Sequence, residues 1–317
     1  MLAALGFLLA SSLAQAPATS DTDLSCSIQD AATADQKVVV LCEREQLYIT
    51  QDQGKTWQAK ALPHDVKFRA VEFLDARRGF VVGDAATLLA TEDGGNSWRP
   101  VAVPVKANLT AIHFLGEQGW ISGFDGVMLH STDGGRTWTS QATGVTQALE
   151  GLYFADAQHG WAVGWIGTVI RTEDGGRTWQ EVKVSDMAWS MGAVYFRDAK
   201  NGWIVGFGGQ ILRSRDGGVT WQAQTSPVSL TLSAVVFDKA NHGWIAAGND
   251  MLVSEDGGET WKLLRVDDPL FLTRFLPVND SLWAIGQFGL LKQTGNSLKW
   301  QRIDKPTQAD SNPKPAA

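Results

Sequence analysis

The octapeptide Ser131-Thr132-Asp133-Gly134-Gly135-Arg136-Thr137-Trp138 recurs along the chain and decides its fold. Related boxes end at Trp57, Trp98, Trp179, Trp221 and Trp261, and a degenerate copy ends at Trp300. Repeats spaced by about forty residues, each with four short strand-like segments, indicate a propeller. We therefore predict an all-β fold, a seven-bladed β-propeller with four antiparallel strands per blade.

Each box has the composition of a tight hairpin turn. An Asp side chain can accept hydrogen bonds from N–H groups of its own turn, and the paired Gly residues allow positive φ. A calcium loop is the alternative, but it needs several oxygen ligands including a bidentate Glu. Each box offers one dependable carboxylate, so we expect no metal and no cofactor. The carboxylates given a structural role are Asp52, Asp93, Asp133, Asp174, Asp216 and Asp256.

The chain has 317 residues, a net charge of −7 and a pI near 5.3. This acidic balance argues against a broad nucleic-acid-binding surface. The repeats run almost from end to end, so we predict a single propeller domain over 24–304. A solvated, proline-containing tail follows at 305–317.

The N-terminal segment resembles a secretory signal. Residues 1–13 are apolar and uncharged, and Ala14-Gln15-Ala16 is a small-x-small cleavage site, although a positive n-region is missing. A membrane anchor is the less favoured alternative, because the apolar run is too short to span a bilayer. We therefore expect a signal peptide at 1–16, a linker at 17–23, and export of the mature chain.

Two cysteines, Cys26 and Cys42, are present. Blade alignment places Cys26 at the start of the first strand and Cys42 at the end of the second, and these ends are adjacent in an antiparallel pair. Export permits a disulfide. We expect this bridge, with two buried thiols as the alternative.

Some aromatic residues are not explained by the repeat. They lie in second-to-third strand turns or, for Trp189, in the connection entering blade five, and strand direction places these segments on one face. Apolar side chains on exposed turns suggest a partner-binding surface. The alternative is that they fold inward and cap the central channel. The candidates are Phe124, Trp165, Trp189, Phe207 and Phe288.

The opposite face, which carries the boxes, gathers positive charge on neighbouring blades. Arginine suits bidentate contact with carboxylate or phosphate groups. Glu173, Asp198 and Glu181 lie nearby, so a mixed solvated surface is the favoured alternative. The candidates for a basic binding face are Arg171, Arg197, Arg213 and Arg215.

One position of the first strand varies strongly in chemistry, with Glu72, His113, Tyr153, Tyr195, Val236 and Arg274 at what the alignment makes equivalent places. These side chains are expected at the channel. Some are acid–base types, but polar groups satisfied along an inner strand are the favoured explanation. No His pair with metal-ligand spacing, nucleophile elbow or phosphate loop accompanies them. We therefore assign no catalytic residue.

The box is similar to the repeat of bacterial neuraminidases. The longer unit, Gly160-Trp161-Ala162-Val163-Gly164 followed by Thr172-Glu173-Asp174-Gly175-Gly176-Arg177-Thr178-Trp179, resembles the photosystem II assembly and stability factor propellers over about 24–304. The resemblance implies a non-enzymatic, monomeric scaffold that binds a membrane-associated protein or its exported segment. It also implies a periplasmic or thylakoid-lumenal location, peripheral to the membrane. The arginine patch of photosynthetic members has only the four arginines named above as candidates here.

Two other classes of protein stay open. A sialidase-like glycoside hydrolase needs an arginine triad and a Tyr/Glu nucleophile pair, and the chain has only Tyr48, Tyr153 and Tyr195. A carbohydrate or peptide receptor would use the Trp165 face without chemistry, because aromatic platforms suit sugars as well as apolar peptide.

Overall fold

The computed structural model describes residues 20–21, 24, 26–43, 46–63, 65–184, 189–295 and 297–304. The expected signal peptide (1–16) and tail (305–317) lie outside the described residues. Within the described part of the chain, no helix has the length and apolar character needed to cross a bilayer.

The described residues form seven antiparallel sheets arranged as blades, which confirms the predicted seven-bladed propeller. Blade one contains β2 (Ile28–Ala34), β3 (Lys37–Cys42), β4 (Gln46–Thr50) and β5 (Trp57–Ala61). Blade two contains β6 (Phe68–Phe73), β7 (Gly79–Gly83), β8 (Leu88–Thr91) and β9 (Arg99–Pro100). Blade three contains β10 (Leu109–Leu115), β11 (Gln118–Gly123), β12 (Met128–Ser131) and β13 (Thr139–Gln141).

The remaining blades repeat this order. Blade four contains β14 (Leu149–Phe154), β15 (Gly160–Gly164), β16 (Val169–Thr172) and β17 (Gln180–Glu181). Blade five contains β18 (Met191–Phe196), β19 (Gly202–Gly206), β20 (Ile211–Ser214) and β21 (Gln222–Gln224). Blade six contains β22 (Leu232–Phe237), β23 (Gly243–Ala247), β24 (Asp250–Ser254) and β25 (Lys262–Leu264). Blade seven contains β26 (Leu272–Val278), β27 (Ser281–Gly286), β28 (Gly289–Gln293) and β29 (Trp300–Arg302).

An additional edge strand, β1 (Ser20–Asp21), pairs antiparallel with β5 and gives blade one a fifth strand. We expected these residues within a linker at 17–23. Two residues carry too little pattern to predict a strand, and the pairing arises because the outer edge of β5 offers unpaired backbone groups.

The first strand of every blade contains a bulge at the same place, shown by a register shift such as that between Leu149 and Gly151. A bulge leaves one residue outside the ladder and re-aims its side chain. In all seven blades the extra residue lies near the central channel. These residues are Gln29, Arg69, Thr110, Glu150, Gly192, Ser233 and Thr273.

Neighbouring blades pack through the tryptophans of their second strands. The Trp161 ring is buried and stacks 3.6 Å from the Phe196 ring of the next blade. Its indole N–H donates to the carbonyl oxygen of Gly217 in the next box, at 3.1 Å. Gly160 precedes this Trp because a Cβ there would collide with the Phe154 ring. The same N–H contact to the next blade's box is made by Trp120 and Trp203.

The ring closes between blades seven and one without exchange of a strand. The Ile28 N–H donates to the Gln287 carbonyl oxygen at 2.9 Å, and Asp30 forms an ion pair with Arg274 at 2.6 Å. Blade one is braced internally, since a disulfide joins Cys26 to Cys42 with their Cα atoms 5.8 Å apart. Apolar side chains from both blades, among them Trp57 and Trp283, form one buried cluster at this seam.

Candidate functional site

The blade connections and the second-to-third strand turns share one face, which we call the turn face. The backbone N–H of Trp165 donates to the carbonyl oxygen of Ala148 at 3.0 Å. This bond joins the second-to-third strand turn of blade four to the connection that enters the same blade. On the opposite face, the box face, the Gly175 N–H donates to the Gln158 carbonyl oxygen at 2.9 Å, which joins a box to a first-to-second turn.

Three consecutive turns on the turn face are single 3₁₀ turns, Phe124–Gly126, Trp165–Gly167 and Phe207–Gly209. Each begins with an aromatic residue and has a central residue with positive φ. This geometry directs the aromatic side chain away from the sheet. The repeat therefore presents an aromatic side chain at the same place on blades three, four and five.

Four aromatic side chains form what we call the aromatic arc, namely Phe124, Trp165, Trp189 and Phe207. The Phe124 and Trp165 ring centroids are 5.5 Å apart, and those of Trp189 and Phe207 are 5.1 Å apart and stacked. The Gly167 N–H donates to the Trp189 carbonyl oxygen at 2.8 Å and links the two pairs. Trp165, Trp189 and Phe207 are 46%, 46% and 49% exposed.

The described residues that line the channel cavity of about 490 Å³ belong to the first strands and include no arc residue. Phe124 is partly buried beneath the Arg69 guanidinium, which lies 5.2 Å from its ring centroid. The other three rings expose apolar surface on neighbouring turns, a feature found where partners bind.

Phe288 lies apart from the arc and pairs with Phe271 at 5.8 Å on blade seven. Phe271, Leu230 and Ile166 are also exposed apolar residues of the turn face, and sequence reasoning did not find them. Leu230 and Phe271 lie in blade connections. Leu230 precedes the first strand of its blade by two residues, as Trp189 does, and this equivalence is the signal that could have identified it.

The four arginines predicted for the box face form ion pairs with three carboxylates, since Arg213 and Arg215 share Glu259. The ion pairs are Arg171–Glu173 at 2.6 Å, Arg197–Asp198 at 3.7 Å, Arg213–Glu259 at 2.8 Å and Arg215–Glu259 at 2.7 Å. Arg213 is also only 4% exposed and lies over the Trp203 ring. The box face is therefore a surface of mixed charge rather than a purely basic one.

The box carboxylates are occupied within their own turns. Asp133 accepts hydrogen bonds from the Ser131 hydroxyl at 2.8 Å and from the backbone N–H and hydroxyl of Thr137 at 2.9 and 2.6 Å. These bonds, those from Thr137 first, lower the pKa of Asp133 to about 2. The Ser131 hydroxyl oxygen in turn accepts the Gly135 N–H. The same pattern recurs at Asp52, Asp93, Asp174, Asp216 and Asp256.

Blade seven lacks the box Asp, and Gln293 replaces the hydroxyl residue that opens the other boxes. Its amide donates to Asp238 of blade six at 3.1 Å and to the Ser297 carbonyl oxygen at 3.0 Å. Asp238 also accepts the Trp244 indole N–H at 3.1 Å. The blade-six tryptophan therefore finds its acceptor in its own blade, because the next box is degenerate.

The polar residues of the channel form contacts between blades. The His113 Nε2–H donates to the Phe154 carbonyl oxygen at 3.3 Å, and the Tyr153 hydroxyl donates to the Phe196 carbonyl oxygen at 2.8 Å. Burial lowers the pKa of His113 to about 4, so its imidazole is neutral at pH 7. These groups satisfy backbone acceptors of the next blade, as expected for polar side chains along an inner strand.

The alignment of Arg274 with Glu72 is wrong by two residues. Leu276, not Arg274, pairs with the second-strand Trp283 and is equivalent to Glu72, which pairs with Phe80. The error arises because β26 extends three residues beyond Phe275, to a turn of only two residues. Aligning Phe275 with the phenylalanines of the other blades therefore shifts the register of this strand by two residues. Arg274 instead occupies the position that is small in five blades, as Ala70, Ala111, Gly151, Ala193 and Ala234.

Asp30 holds that position in blade one, so the two exceptions meet at the seam as an ion pair. Arg274 also lies 4.0 Å from Glu72 of blade two. Burial, opposed by Arg274 and reinforced by Asp30, raises the pKa of Glu72 to about 7. This trio of side chains concentrates charge where the ring closes.

The Glu72 carboxyl makes folding stability depend on pH. Its folded pKa of about 7 lies above its ordinary value of 4.5, so the folded state keeps a proton that the unfolded state loses. Stability from this group is complete below about pH 4.5 and declines as pH rises toward 7. Glu72→Gln is expected to remove this decline and to be more stable than wild type at pH 8, by at most about 3 kcal/mol. Urea unfolding of both proteins at pH 5 and pH 8 measures the difference, and an unchanged pH dependence in the variant would contradict it.

In the part of the chain that the structure describes, no group of three or more His, Cys, Asp or Glu side chains could hold a metal ion. Fold and site together define the class of protein, a β-propeller stapled by Asp-box turns, with an aromatic arc exposed on one face. The family model described as "Photosynthesis system II assembly factor YCF48" matches residues 49–146 and 141–225. The chain belongs to this family.

Solved structures show the same fold at low sequence identity. "YCF48 bound to D1 peptide" superposes with a TM-score of 0.73 at 22% identity, covering 90% of this chain and 97% of that chain. YCF48 from Cyanidioschyzon merolae gives a TM-score of 0.71 at 18% identity over 87% of this chain and 98% of that one. A virginiamycin B lyase from Staphylococcus aureus gives a TM-score of 0.74 at 12% identity over 86% and 97%. No curated protein sequence matches significantly.

Proposed function

We propose that this propeller is a non-enzymatic, exported scaffold that binds a segment of a membrane protein through the aromatic arc. Family membership supports this function, and a solved relative of similar fold is described as bound to a D1 peptide. The single observation that carries the choice of surface is the group of half-exposed rings on blades four and five, Trp165, Trp189 and Phe207. Stacked aromatic side chains of this kind act as anchors for protein partners.

The remaining chemistry of the molecule supports a binding role. The box carboxylates accept hydrogen bonds inside their own turns, and the four candidate arginines of the opposite face form ion pairs with carboxylates. His113 and Tyr153 bond to backbone carbonyls of the next blade rather than presenting acid–base groups to a substrate. The disulfide between Cys26 and Cys42 supports export, because such bonds persist in oxidising compartments. The periplasm or the thylakoid lumen is the location we propose, with the protein acting as a monomer at the membrane surface.

A double substitution in the arc tests the proposed function. Trp165→Ala with Trp189→Ala is expected to reduce capture of the partner at least tenfold in crosslinking and co-purification from native membranes. Both rings are half-exposed, so the melting temperature is expected to change by no more than about 2 °C. The measurement compares the yield of each crosslinked protein at equal amounts of bait.

Two further double variants serve as controls. Phe271→Ala with Phe288→Ala removes a matched exposed pair from the same face, and Arg171→Ala with Arg215→Ala removes charge from the box face. Both are expected to retain capture. Loss of capture in the arginine variant alone would move the binding site to the box face, and hydrolysis of glycans by the pure protein would overturn the non-enzymatic function.

A further inference from the structure

Ile166 adopts a backbone conformation that its side chain disfavours. Its φ is 56° and its ψ is 40°, in the left-handed region. Asp125 and Gly208 occupy the equivalent place in blades three and five, and Asp and Gly are among the residues that tolerate this region best. A side chain branched at Cβ is a true outlier there, because it crowds its own backbone.

Nothing in the packing of the protein explains why isoleucine stands at this position. Its side chain is 63% exposed, more than any other large apolar side chain of the described residues. It lies next to Trp165 on the turn face. Strain that persists at an exposed apolar residue points to use of that residue by a partner.

Among the described segments nearest Ile166 few residues are charged. The segments 124–127, 142–151, 165–168, 189–192 and 207–210 contain Asp125 and Glu150, and the connection that enters blade five adds Lys183. Glu150 is the bulged residue of β14 at the channel mouth, and its carboxylate accepts the Trp165 indole N–H at 3.0 Å. Arg69, at the equivalent bulge of blade two, is already paired with Asp84.

We infer that this surface recognises a peptide segment in which an apolar residue lies close to a Lys or Arg. The inference rests on the proposed function and specifies its partner. The apolar residue packs on Ile166 and Trp165, and the cation is held by the Glu150 carboxylate beside the indole ring. A carboxylate forms short, charge-assisted hydrogen bonds with Lys and Arg. An acidic segment would be repelled by Asp125 and Glu150.

The test probes a peptide array with the full chain. The array carries overlapping 15-residue tiles of the exported segments of the host's membrane proteins. Wild type is expected to bind the peptides in which an apolar residue lies within a few positions of Lys or Arg. Glu150→Lys is expected to bind these tiles at least tenfold more weakly and to shift its preference to tiles with Asp or Glu. Glu150→Gln is expected to lose the charge preference without reversing it.

Substitutions of Ile166 separate its role in binding from its role in the fold. Ile166→Asn suits the left-handed conformation, so the melting temperature is expected to rise by about 2 °C while tile binding falls at least tenfold. Ile166→Leu removes the branch at Cβ but keeps the apolar side chain, so it is expected to retain binding. A purely structural isoleucine predicts the opposite for Ile166→Asn, a lower melting temperature with binding unchanged.

The outcomes distinguish this inference from the proposed function. The inference would be overturned if the array peptides that bind wild type showed no excess of Lys and Arg, or if Ile166→Asn bound them fully. Absence of binding to any array peptide would also overturn it. The proposed function would still be judged separately, by co-purification from native membranes with the arc variants.

Discussion

Replacing Trp203 by alanine is expected to lower the free energy of unfolding by about 3–5 kcal/mol. The Trp203 ring is fully buried between blades five and six, 4.3 Å from the Phe237 ring. Its indole N–H donates to Gly258, but that carbonyl oxygen also accepts from Arg213 at 3.1 Å and Gln224 at 2.8 Å. The lost hydrogen bond therefore leaves no orphaned acceptor, and the cavity between the blades dominates the effect.

Urea unfolding with a common m-value measures this loss. Trp165→Ala is the matched control, since the same side chain is removed from a half-exposed position, and it is expected to cost less than about 1 kcal/mol. Trp203→Phe keeps most of the ring and is expected to cost less than Trp203→Ala, by about 2 kcal/mol or more. Equal losses for Trp203→Ala and Trp165→Ala would show that the packing between blades does not control stability.

The repeat made the fold and the two faces predictable from sequence. A hairpin box at a spacing of about forty residues admits few architectures, because each unit must bury its sheet against the next one. Strand direction then assigns Trp165 and Phe207 to one face whatever the details of packing. The exposure of these rings does not follow from the pattern, since an aromatic residue on a turn can fold inward as easily as outward.

Other features could not be predicted from the sequence, because they depend on backbone angles and strand register. The left-handed φ of Ile166 is set by the turn it shares with Asp125 and Gly208, and an isoleucine in the sequence gives no sign of it. The hydrogen bond from the Trp161 indole N–H to the next blade depends on the angle between the blades, which the sequence pattern does not give. Arg274 was misplaced because the turn of blade seven is shorter than those of most other blades.

The register of Arg274 leads to a prediction about how the ring closes. Arg274→Ala is expected to cost about 3–4 kcal/mol, because it leaves the buried Asp30 carboxylate beside Glu72 without a cation. Asp30→Ala is expected to cost about 2–3 kcal/mol, since Arg274 is partly exposed in the channel and keeps Glu72 within 4.0 Å. The two residues are 244 positions apart in sequence, so their contact exists only when the first and last blades meet.

The double variant Asp30→Ala with Arg274→Ala is expected to recover most of this loss. It places in blades one and seven the small side chain that five other blades already carry, and removing both partners of a buried ion pair leaves no uncompensated charge. The Val71 N–H loses its acceptor, Asp30, so a residual cost of about 1 kcal/mol is expected. Urea unfolding at pH 6 of wild type, both single variants and the double variant gives the coupling energy between the two side chains. Strictly additive losses would mean that the seam is closed by the apolar cluster around Trp57 and Trp283, with the ion pair contributing little of its own.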